Sequence, residues 1–111
     1  MSINREKLDQ IMLQMGHTEN LIGTGYIRAA VVMYDAGAKA MIKELYPGIA
    51  RACSTTPARV ERAMRHSIER AWQRGNEDAQ LEHFGYSVDR AKGNPTVSEY
   101  ISRMAVICHE D

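Results

Sequence analysis

Apolar residues recur along this chain at spacings of three and four, and period-two alternation is weak throughout. The pattern is clearest from Thr56 to Arg74, TPARVERAMRHSIERAWQR. There Val60, Ala63, Met64, Ser67, Ile68, Ala71 and Trp72 fall on one helical face, and Arg59, Arg62, Arg65, His66, Glu69 and Gln73 on the other. Thr56 supplies a capping oxygen, and Pro57 suits the first helical position, where a missing N–H loses nothing. The predicted helix extends about 27 Å at about 1.5 Å per residue. Its back belongs in a core and its front is rich in positive charge.

The same spacing predicts the other elements. Arg5 to Met15 reads as a short amphipathic helix burying Leu8, Ile11, Met12 and Met15, stopped by Gly16. Gly23 and Gly25 are expected to loosen the join to a second helix, Tyr26 to Tyr34, with Ile27, Ala30, Val31 and Tyr34 inward and an end near Gly37. Ala38 to Tyr46 is helical in character. Pro47 lacks a donor and is expected to open a fresh short helix running to Cys53. Ser54, Thr55 and Thr56 then turn the chain into the long helix. Asn76 caps a helix over Glu77 to Phe84, whose Glu77 and Asp78 suit the positive end of the dipole. Residues 85–94 read as a loop. Thr96 or Ser98 opens the last helix, with Val97, Tyr100, Ile101, Met104 and Ile107 as its buried side.

The expectation is an all-α fold: about six helices in one compact domain over residues 1–111, containing a helix-turn-helix. Ile49 and Ala50 occupy the positions of the short helix that the long one must approach, and Val60 plugs the core between them. Cys53, at the end of the short helix, is expected to be an inert core thiol. Ser54 stands where such turns often carry Gly. Helical hairpins are common, so this pattern alone is a weak pointer to function.

Charge sharpens it. The formal net charge is zero, which argues against a generic polyanion binder, but the charge is segregated. Residues 39–74 carry eight Lys or Arg against three Glu, and residues 75–111 three basic against seven acidic side chains. Glu61, Arg65 and Glu69, four apart, form a surface ladder that accounts for Arg65. Arg59 and Arg62 have no carboxylate at three or four residues, and both oppose the dipole near a helix start at about 0.3–1 kcal/mol each. A solvated face is one explanation. A phosphate or base edge that supplies the missing partner is the better one.

Other chemistry finds no footing. Gly23 and Gly25 lack the third glycine and preceding strand of a dinucleotide site. His17, His66, His83 and His109 lie in separate segments without ligand spacing, and no nucleophile–base constellation assembles, so no catalytic residue, metal or cofactor is expected. Two cysteines are too few for a disulfide scaffold and imply reduced thiols. With no span-length apolar run and no signal peptide, the expected location is cytoplasmic.

The segments KELYPGIA (43–50), TTPARVERAMRHSIERAWQRGN (55–76), FGY (84–86) and PTVSEYI (95–101) carry a resemblance running from about Gly16 to Met104. In them the chain resembles the DNA-binding effector domain of the stage-zero sporulation response regulator of endospore-forming bacteria. The resemblance implies six helices, sequence-specific binding to double-stranded promoter DNA as tandem or paired domains, and contact with RNA polymerase and its sigma factor. By position, Arg59 and Arg62 match base-reading arginines, with Glu61 beside them. Arg51, Thr55, Thr56, Arg65 and His66 fall to the DNA backbone. Ala79, Phe84 and Val88 lie in the stretch that matches the sigma-factor surface. Ala58 departs from a usual Ser, which removes one phosphate contact. The family's full-length members also carry a receiver domain that is not in these 111 residues, and MSINREK reads as a natural start, so a stand-alone relative is expected. The alternative is a receiver-less helical interaction module that competes for polymerase or a full-length relative.

Overall fold

Local caps set the helix starts. Asn4 opens α1 (Arg5–Gln14) by accepting the Lys7 N–H at 3.1 Å, and Gly16, at φ 99°, turns the chain away after it. The computed structural model describes residues 2–18, 21–85 and 93–110. Within these, α2 spans Ile22–Asp35, α3 Tyr46–Ala52, α4 Pro57–Arg74, α5 Glu77–Phe84 and α6 Val97–Cys108. The fold is all-α, as the spacing predicts. Thr96 starts α6 with a reciprocal box: its hydroxyl accepts the Glu99 N–H, and the Glu99 carboxylate accepts the Thr96 N–H at 2.9 Å. The one β feature among the described residues is a two-residue antiparallel pair, β1 (Ser2–Ile3) with β2 (His109–Glu110), which ties the ends together.

α2 packs against both α4 and α6, and α3 against α4. The core they enclose contains the predicted inward sets of α1 and α4, with Ala63 and Trp72 only half-buried at the flanks of α4. Trp72 meets Phe84 edge-on at 5.5 Å, and Phe84 stacks on Tyr100 at 4.9 Å.

Three expectations are corrected. First, Gly23 and Gly25 do not loosen a join but lie inside α2, which begins at Ile22. Gly23 is buried where α2 crosses α4, and a Cβ there would stand 2.2 Å from the Ala63 carbonyl oxygen. Its role is close approach of two helices. Second, Pro47 does not follow a break. Met41–Leu45 forms a π-helical turn that passes directly into α3 through Leu45 and Tyr46, both in the right-handed helical region. Proline has no N–H for the preceding turn and its ring crowds that turn's carbonyl, so a widened turn ahead of it is the physical response. Third, Cys53 is not in the core: it caps the end of α3 and is exposed.

The core also holds a polar cluster that the spacing hides. His17 is buried between α1 and α2, with Nδ1 2.9 Å from Ser67 Oγ on α4 and Nε2 2.6 Å from Tyr100 Oη on α6. A neutral ring satisfies both in either tautomer, one ring nitrogen donating its N–H to a hydroxyl oxygen and the other accepting a hydroxyl O–H. Thr24 joins through its hydroxyl, 3.4 Å from Ser67 Oγ. Burial, with a smaller contribution from the Arg28 charge, pushes the His17 pKa down to about 4.

Two predictions follow from this packing. Gly23→Ala should lower stability by about 1–3 kcal/mol through overpacking. Gly25→Ala, where an added Cβ meets nothing within 4 Å, should raise it by about 0.5–1 kcal/mol. Urea denaturation of both variants checks the pair, and equal signs would refute the close-approach role. Because the folded His17 pKa lies below its ordinary 6.5, protonation favours the unfolded chain. Stability from this residue is intact above about pH 6.5 and is lost between there and about pH 4, by about 3 kcal/mol. Denaturation at stepped pH should show that slope in the wild type and a flatter one in His17→Gln; parallel curves would contradict it.

Candidate nucleic-acid interface

The helix-turn-helix consists of α3, the turn at residues 53–56, and α4. Ile49 and Ala50 are buried on α3, and Val60 fills the angle between the helices with no exposed surface. Ser54 takes the left-handed conformation, φ 54°, and Thr55 N–H returns to Ala50 O at 3.0 Å. That closes the end of α3 as a glycine turn would, with Ser in the glycine's place. Thr56 then restarts the helix by accepting the Arg59 N–H on its hydroxyl at 3.3 Å. The result is a short, hydrogen-bonded corner that leaves the first turns of α4 exposed.

On α4 the charged side chains separate into two flanks. Glu61 and Arg65 bind each other, Nε to Oε1 at 2.9 Å. They face a cleft lined also by Met41, Ile42, Tyr46 and the start of α6. Burial and the Glu61 carboxylate together raise the Tyr46 phenol pKa, which places Glu61 on that side. Of the ladder expected of Arg65, the Glu61 rung is therefore present, with one Glu61 carboxylate oxygen committed to it, and among the described residues Glu69 forms no ion pair with Arg65.

Arg59 and Arg62 differ. Both are exposed, and among the described residues neither guanidinium has a hydrogen bond or ion pair. His66 is exposed beside them, and Arg70 follows one turn on, at the edge of a cleft formed with Leu21, Ile22 and Ala63. Arg51, at the end of α3, and Thr56 are exposed on the same corner, and Thr55 is half-buried. Thus Arg51, Thr55, Thr56, Arg59, Arg62 and His66 all belong to α3, the turn or the front of α4. Arg70 is one the sequence reading misses, although the same signal is there: its neighbours at three and four residues, His66, Ser67, Gln73 and Arg74, include no carboxylate.

The residues matched to a sigma-factor surface fare differently. Ala79 is 5% exposed and Phe84 1%, so both are core residues here and offer no face to a partner. Phe84 is held between Trp72 and Tyr100, an aromatic stack that explains its burial. Val88 lies outside the described residues. The outward side of α5 is instead Glu77, Asp78, Leu81 and Glu82.

Among the described residues no helix is long and apolar enough to cross a membrane, and no three His, Cys, Asp or Glu side chains converge as metal ligands. The family model described as sporulation initiation factor Spo0A C terminal matches residues 8–107.

Proposed function

The chain belongs to the sporulation initiation factor Spo0A C-terminal family, whose domain is the DNA-binding effector domain of a transcription regulator, and on that premise we propose that α4 enters the major groove and reads bases with Arg59 and Arg62. The observation that supports this is the pair of exposed guanidiniums, one turn apart, without a protein counterion among the described residues. Each presents the bidentate fork that fits guanine O6 and N7, worth about 1–3 kcal/mol of discrimination. Glu61 keeps one oxygen outside its bond to Arg65 and accepts from a cytosine amine with it. Arg51, Thr55, Thr56 and His66 hold phosphates and set register, and Arg65 reaches the backbone from the Glu61 side.

One helix covers few base pairs, so two copies on spaced half-sites, as a homodimer or in tandem, would supply useful affinity. Contact with the polymerase sigma factor, if it uses α5, falls to exposed Glu77, Asp78, Leu81 and Glu82 in place of buried Ala79 and Phe84. That acidic surface suits a protein partner and repels DNA, in keeping with the segregated charge.

Arg62→Ala should lower the preference for a selected duplex over a scrambled one by about 1–3 kcal/mol while leaving low-salt, non-specific binding nearly intact. Fluorescence anisotropy on both duplexes across a salt series is the measurement. Equal losses on the two duplexes, with the log–log salt slope falling by about 0.9, would make Arg62 a phosphate contact only.

A further inference from the structure

α4 meets the body of the domain along a seam of small residues, Ala63, Ser67 and Ala71, spaced by four. Gly23 brings α2 so near that an added Cβ would lie 2.9 Å from Ser67 Cβ as well as against the Ala63 carbonyl. At the other end of the seam Gly16 abuts the Ala71 carbonyl oxygen, 3.2 Å from where its Cβ would be. Between these two contacts sits the His17 bridge, joining Ser67 to Tyr100. Among the described residues Ser67 is the one buried side chain of α4 that is hydrogen-bonded.

The rest of that buried face is Val60, Met64, Ile68 and Ala71. Apolar contact of this kind is non-directional, and methionine adapts to small shifts. A hydrogen bond is directional and weakens steeply as its angle closes. Ser67 lies five residues from Arg62 and eight from Arg59, about 7.5 and 12 Å along a helix rising about 1.5 Å per residue. A rotation of α4 by about 10° sweeps an extended arginine tip by more than about 1 Å, beyond the tolerance of about 0.5 Å that a reading constellation allows.

We propose that His17 is a positioning residue for DNA reading: by holding Ser67 it sets the axial rotation of α4, and so where Arg59 and Arg62 meet the bases. The inference rests on the groove reading above and adds a part of the molecule that touches no DNA. His17 is buried and contacts the packed face of α4 at Ser67, whereas Arg59 and Arg62 are exposed.

The test uses duplexes that the wild-type chain selects from a random pool, and scrambled versions of them. It compares the wild type with Ser67→Ala, His17→Leu and His17→Gln, and with Ile11→Val as a core control in α1. Each is measured where circular dichroism shows it fully folded. Ser67→Ala and His17→Leu should reduce the specific-to-scrambled affinity ratio by about fivefold or more, since bidentate geometry is degraded. Scrambled-duplex affinity and salt slope should stay at wild-type values. His17→Gln, which keeps a donor and an acceptor, should retain more of the ratio than His17→Leu, and Ile11→Val should retain all of it. If His17→Leu does not fold, Ser67→Ala decides. A folded Ser67→Ala with the wild-type ratio overturns the inference alone, as does Ile11→Val losing the ratio equally. A wild-type chain that selects no preferred duplex overturns the groove reading and this inference with it.

Discussion

Arg59 and Arg62 are exposed and have no carboxylate partner among the described residues, in the first turns of a helix whose dipole repels them. Such a helix persists only because its opposite face is held firmly. Val60, Met64, Ser67, Ile68 and Ala71 are all buried, and α2, α3 and α6 pack against α4. Tertiary packing, not intrinsic propensity, therefore keeps α4 in place. The electrostatic penalty on its front is small beside that burial, and it is the part of the energy that an anion would reverse on binding.

The covering is of two kinds. α3 fits into the angle at Val60 through apolar contact, and its end is closed by Ser54 in a conformation that most residues avoid. α2 meets α4 through Gly23 and the Thr24–Ser67 contact, and His17, ahead of α2, bridges Ser67 of α4 to Tyr100 of α6, so that backbone proximity and hydrogen bonds replace bulky side chains. A buried polar cluster of this sort is worth little net stability when satisfied and is damaging when broken. Its value lies in specifying one arrangement of helices. The two kinds divide the work: the apolar contacts hold α4 against the body, and the polar seam fixes how it is turned.

Much of this was legible because it is local. Asn76 and Thr96 announce their helices by cap chemistry, and the structure places both caps where the spacing predicts. Thr56 with Pro57 does the same for α4, and the lack of a carboxylate near Arg59 and Arg62 is visible from i±3 and i±4 neighbours alone. What stayed hidden depends on residues far apart in sequence. Gly23 looks like a hinge until Ala63, forty positions away, is found against it. Nothing in the sequence around His17 marks it for burial, which shows only where Ser67 and Tyr100 close on it. Likeness of sequence puts Phe84 on a partner-facing surface and does not reveal that Trp72 and Tyr100 enclose it. Cys53 erred the other way: an apolar position at a helix end is as easily solvent-facing as buried, and only the turn geometry decides.

Groove reading supposes that guanine edges provide the counterpart that Arg59 and Arg62 do not find among the described residues. It is tested most directly by replacing single guanines of a selected duplex with 7-deazaguanine, which removes the N7 acceptor, and measuring binding by the wild type and by Arg62→Ala. One guanine is expected at which the wild type loses about 1–3 kcal/mol and Arg62→Ala loses nothing further. If every replacement weakens the two proteins equally, Arg62 touches no guanine N7 and α4 does not read bases through it.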